Sequence, residues 1–145
     1  MAQVHRLRPG QLNRPSLSTM AATSTLERIR QQRRQRWLLD LRERTAVVGA
    51  RCLAEGIGIQ KVLLFGSRAR GDYDGLSDTD LIAVGITQRD AEAAADALAA
   101  AGLGDDLIAL SQDAWERKAS SSNPIWRAAH AEALPLYERP TAGLA

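Results

Sequence analysis

A single cysteine, Cys52, and two histidines, His5 and His130, are all the chain holds of the residues that build disulfides and zinc sites. One thiol excludes an intrachain disulfide and fits a reducing, cytoplasmic setting. Cysteine and histidine together are too few for a zinc cluster. No apolar run approaches the roughly 20 residues of a membrane-spanning helix, so no membrane segment is expected. An excess of one charge is missing too: 19 basic against 17 acidic residues leave a formal +2, too little to imply nucleic-acid binding. What is there is an ordinary globular balance, 45% hydrophobic and 25% charged over 145 residues. A chain of that length is expected to fold as one domain and to bury about two-thirds of its unfolded surface.

Three segments are expected: a flexible tail over 1–23, a long basic and amphipathic helix over 24–57, and an α+β domain over 58–140. Met1 to Met20 carries Arg6, Arg8 and Arg14, with Pro9, Gly10 and Pro15 and no acidic residue. It reads as an extension, with Met20 as an alternative start; its weak amphipathic pattern disfavours a transit peptide. Ser24 and Glu27 have capping-box spacing, and Trp37, Leu38, Leu41, Val48 and Cys52 then recur at helical spacing. Arg28, Arg30, Arg33, Arg34 and Arg36 crowd the first third of that helix. The stretch Arg28–Arg36 offers contacts to RNA phosphates, but a solvated face is the preferred reading because no aromatics are interleaved.

Gly56 and Gly58 end the helix. Strands are predicted at Lys61–Phe65, Asp78–Val84 and Asp106–Leu110, and an edge strand or extended tail at Leu134–Glu138, which contains Pro135. Thr87 and Asp90 open an alanine-rich helix over Gln88–Ala101 that Gly102 stops. Ser111 caps a short helix carrying Trp115. Asn123, followed by Pro124, caps the last helix, Ile125 to about Ala133. The small sheet with flanking helices is an α+β arrangement. Trp37, Trp115, Trp126 and Cys52 are expected as core or interface groups, and His130 as a surface or packing group.

The chemistry concentrates after the first strand. Gly66 lacks a Cβ and lets another group approach the backbone, and Ser67 follows with a hydroxyl and an N–H. If Ser67–Arg70 begins a short helix, its free N–H groups suit a phosphate, with Arg68 and Arg70 adding charge. Asp78 and Asp80, two apart on a strand, share a face. Two carboxylates beside a phosphate site repel each other unless a cation lies between them, and Mg²⁺ is commonly held by one or two carboxylates plus substrate phosphates.

Gly66-Ser67, ten residues, then Asp78-Thr79-Asp80 resembles the signature of the DNA polymerase beta nucleotidyltransferase superfamily, most closely its minimal members. The fuller pattern, Gly-Ser-x-Ala-Arg-Gly with Ser-Asp-x-Asp-Leu, is also present, and the resemblance covers about residues 60–138. It implies a polymerase beta-like core with a small mixed sheet. It further implies transfer of a nucleoside monophosphate, most simply AMP from ATP, to a protein or other hydroxyl acceptor, with one or two Mg²⁺ ions. Asp78, Asp80 and a third carboxylate would be catalytic and hold the metal, while Gly66, Ser67 and Arg70 would contact the nucleotide. The third carboxylate is expected at Asp106, with Asp105 the alternative. The resemblance also points to a HEPN-domain protein as partner, with the chain its antitoxin. The competing class is a non-catalytic module that binds a partner or RNA.

Overall fold

The computed structural model describes residues 17–66, 68–71 and 78–141. Its elements are α1 (Leu17–Ala54), β1 (Ile59–Phe65), β2 (Asp80–Gly85), α2 (Gln88–Ala100), β3 (Asp106–Ser111), α3 (Gln112–Arg117), α4 (Pro124–Glu132) and β4 (Leu134–Glu138), with a 3₁₀ turn at Lys118–Ser120. The fold is α+β, with a four-stranded mixed sheet of order β3-β2-β1-β4. β1 pairs antiparallel with β2 and with β4, and β2 pairs parallel with β3.

Two compact units divide between Trp37 and Leu38, inside α1. The first is the leading part of α1, where every side chain from Ser24 to Arg36 is exposed. The helix is already continuous at Leu17, so the Ser24/Glu27 pair lies inside it and does not start it. Met20, Ala21 and Ala22 are good helix formers, and nothing in them breaks the helix ahead of Ser24. Residues 1–16 of the expected tail lie outside the described residues.

The second unit holds the core. Leu41, Thr45, Val48, Gly49 and Cys52 are its buried residues on α1, a stripe at helical spacing. The Thr45 hydroxyl satisfies itself by donating to the Leu41 carbonyl at 2.6 Å. A Cβ on Gly49 would lie 2.5 Å from the Tyr137 ring, so the missing side chain lets α1 approach β4 closely. Val62, Leu64, Leu81 and Ala83 are fully buried. The opposite face carries Leu63, Ile82 and Val84, which cluster with Trp115 of α3, and Phe65, Ile108, Leu110 and Trp126 pack against them.

The other three predicted caps form. Thr87 and Asp90 make a reciprocal capping box at α2, Ser111 accepts from the Ala114 N–H, and Asn123 accepts from the Ile125 N–H ahead of α4. Asp90 also accepts from the Gly58 N–H at 3.0 Å. That bond, then the Thr87 hydroxyl, holds the Asp90 carboxyl below its ordinary value. β4 is an edge strand, which is where Pro135 does no harm. Trp115 and Cys52 are buried as expected, and His130 stacks on Trp115 with ring centroids 4.5 Å apart.

The other edge, β3, is closed by a side chain. Gln88 donates to the Ala109 carbonyl at 2.9 Å and accepts from the Ser111 N–H at 3.1 Å, copying one rung of a neighbouring strand. Gln88→Ala removes both bonds. It should lower the unfolding free energy by about 1–2 kcal/mol, read by urea denaturation, and Gln88→Glu should recover only the accepting half.

Candidate active site

Strand register builds the site. Phe65 pairs with Asp80 across β1 and β2, and Asp80 pairs with Asp106 across β2 and β3. Directly paired residues point to the same side, so the two carboxylates stand together on the face that carries Ile82 and Ile108. β1 ends at Phe65, and Gly66 turns away with φ +78°. A Cβ on Gly66 would lie 2.6 Å from Asp80 Oδ2, so the carboxylate occupies the space a side chain would need.

Asp80 is the strained member. Its Oδ1 is shut from solvent and has no hydrogen-bond partner. Burial raises its carboxyl above the ordinary value, and the nearby Asp106, Asp78 and Asp105 carboxylates push it further in the same direction. The carboxylate facing it from Asp106 thus adds to the cost of charging Asp80 where it stands.

Asp78 departs from expectation. β2 begins at Asp80, so Asp78 lies ahead of the strand and is exposed, not paired with Asp80 along one strand face. The backbone between them is engaged elsewhere. Thr79 donates to Asp105 Oδ2 at 2.7 Å, and its carbonyl accepts from the Asp105 N–H at 2.7 Å and the Asp106 N–H at 3.3 Å. Asp105 therefore clamps the segment that carries Asp78 and Asp80 against the start of β3. Sequence reasoning missed this positioning role. The available signal was parity: of two adjacent acids at a strand start, only one shares the face of Asp80.

Ser67 lies outside the described residues. Its described neighbours form a turn in which the Arg70 N–H donates to the Gly66 carbonyl and the Gly71 N–H to the Arg68 carbonyl, each at 3.2 Å. The Arg70 guanidinium is committed to Glu132 Oε2 at 3.3 Å. Beside Gly66 a cleft of about 430 Å³ opens between this turn and α4, lined by Phe65, Ile108, Ile125 and Trp126 among others. Lys118 sits 4.3 Å from the Trp126 ring centre. A smaller cavity of about 220 Å³, lined by Arg44, Val48, Arg51 and Leu103, contains none of these groups.

The donor set fits a hard divalent cation: carboxylate oxygens, one of them buried and unpartnered. Among the described residues no group of three or more His, Cys, Asp or Glu side chains is already gathered as a metal cage. Asp80 and Asp106 are the carboxylates placed to hold such an ion, with Asp78 exposed just ahead of β2.

No family model matches the sequence, and no curated protein matches it. Among solved structures, the chain is similar to the crystal structure of a putative nucleotidyltransferase from Sulfolobus solfataricus. The two share 22% identity with a TM-score of 0.44, over 74% of this chain and 86% of that one. Among the described residues, no helix is long and apolar enough to cross a membrane.

Proposed function

We propose that the chain is a metal-dependent nucleotidyltransferase that moves a nucleoside monophosphate, AMP from ATP in the simplest case, to a hydroxyl acceptor. The observation that carries this reading is the row Phe65–Asp80–Asp106, which sets two carboxylates side by side against Gly66, one with a buried oxygen lacking any partner. A scaffold has no use for such repulsion, whereas a cation and a polyphosphate would relieve it. The Gly66-Ser67 and Asp78-Thr79-Asp80 spacing supports the same reading.

Asp80 and Asp106 would hold Mg²⁺, with Asp78 joining from the segment ahead of β2. The bound ion would neutralise triphosphate charge and polarise the phosphorus under attack. Asp105 keeps the Asp78–Asp80 segment in place through Thr79. Asp106 takes the proton of the acceptor hydroxyl on a carboxylate oxygen. The acceptor oxygen forms its bond to the α-phosphorus, the bond to the bridging oxygen breaks, and pyrophosphate leaves. The resemblance extends the proposal to a HEPN-domain protein as acceptor, with this chain as its antitoxin in the cytoplasm.

Incubation with α-labelled ATP and Mg²⁺ should label an acceptor hydroxyl, with a HEPN-domain protein as the first candidate. Asp106→Asn should slow labelling about 10²–10⁴-fold with the fold intact by circular dichroism. Undiminished labelling by that variant would remove Asp106 from the chemistry. The exposed run Arg28–Arg36 favours the second reading, RNA binding without catalysis. It predicts steeply salt-dependent RNA affinity that survives Asp80→Asn.

A further inference from the structure

Arg70 and Glu132 stand on opposite sides of the cleft beside Gly66. Arg70 belongs to the turn that follows β1, and Glu132 is the last residue of α4. Both line the cleft and meet there at 3.3 Å. Nothing about α4 itself calls for an acid there. A helix C-terminus carries the negative end of the dipole and disfavours a carboxylate, so Glu132 gains its stabilisation from Arg70. The pair is weak as well as deliberate: the side chains are 57% and 43% exposed, and exposed ion pairs are readily displaced.

We infer that Glu132 is an internal competitor for Arg70, occupying the guanidinium until the polyphosphate of a nucleoside triphosphate displaces it. This rests on the nucleotidyltransferase reading above. A guanidinium makes forked bonds equally well with a carboxylate or a phosphate, so one exchanges for the other without a change in Arg70's chemistry. The carboxylate thereby weakens nucleotide binding in a way that Asp80 and Asp106 do not control. It is a positioning residue acting through Arg70.

The test is a double-mutant cycle on the full chain, with binding of ATP and of inorganic tripolyphosphate measured by calorimetry in the presence of Mg²⁺. Glu132→Gln should tighten both ligands about two- to fivefold, the range an exposed ion pair commands. Arg70→Gln should weaken both, and adding Glu132→Gln to it should change nothing further. Thermal melts should be alike throughout, since both groups are exposed. Unchanged or weaker binding by Glu132→Gln, or the same gain without Arg70, overturns the competition. If the wild-type chain binds neither ligand, the nucleotidyltransferase reading falls and takes this inference with it. If it binds both and Glu132→Gln is neutral, only the inference falls.

Discussion

Asp80→Asn should make the ligand-free protein more stable while destroying transfer. The amide needs no cation, and its N–H groups can donate to the Asp106 carboxylate, so the repulsion in the Asp80–Asp106 pair disappears. The pH dependence follows from the direction of the shift. Burial first, then Asp106 and Asp78, hold the Asp80 carboxyl above its ordinary value. Over the interval between the ordinary and the raised value, the folded chain keeps a proton that the unfolded chain has released. Stability therefore falls as pH rises through that interval, and the loss persists at neutral pH. Asn at this position has no such interval. The melting temperature of the variant should exceed that of the wild type at neutral pH, and the difference should vanish in acid below the ordinary aspartate range.

Asp90 works in the opposite sense. Its carboxyl is lowered, chiefly by the Gly58 N–H, so its contribution is present at neutral pH and is lost as pH falls through the lowered value. The acid limb of the melting curve should thus be common to wild type and Asp80→Asn, while the limb above the ordinary range should flatten only in the variant. Transfer of α-label should drop about 10³-fold, the scale of several kcal/mol of charge stabilisation at the reacting phosphate. Mg²⁺ with ATP should raise the wild-type melting temperature and leave the variant nearly unmoved. A variant that still transfers label at the wild-type rate would remove the catalytic role. A variant that melts lower at neutral pH would contradict the strain assigned to Asp80.

Gly66→Ala should damage fold and site together, and the two parts can be separated. The backbone at φ +78° costs an L-residue about 1–2 kcal/mol. The new Cβ would also lie 2.6 Å from Asp80 Oδ2, so the carboxylate must move from its place beside Asp106. Urea unfolding should show a loss larger than the backbone cost, and labelling should fall to the level of Asp80→Asn. In an Asp80→Ala background the collision is gone, and the same substitution should cost only the backbone part. Equal costs in the two backgrounds would mean that Gly66 serves the turn alone and makes no room for the carboxylate.

Much of the local structure was legible because it depends on neighbours in the chain. Thr87 with Asp90, Ser111, and Asn123 with Pro124 each carry their own hydrogen-bond logic within three residues, and each cap forms. The strand at Leu134–Glu138 was legible as an edge because Pro135 lacks an N–H. Where local signals compete, the reading slipped. The Ser24/Glu27 spacing has the form of a helix start, but only the continuity of the preceding residues decides whether it acts as one. Asp78 follows the strand pattern of Asp80, but Thr79 is held by Asp105, a partner across a separation of 26 residues.

By itself, the sequence determined which residue types stand where the chain can use them: a glycine at the end of a buried strand, acids at the starts of two others, caps at the helices. These follow from side-chain chemistry acting over one turn or one strand. The tertiary structure alone decided that Asp80 meets Asp106 in parallel register, that Gln88 closes the edge of β3, and that Glu132 takes Arg70. Register between strands joined through a helix has no period to announce it, because it is set by how α2 packs on the sheet and not by any residue's preference for its neighbours.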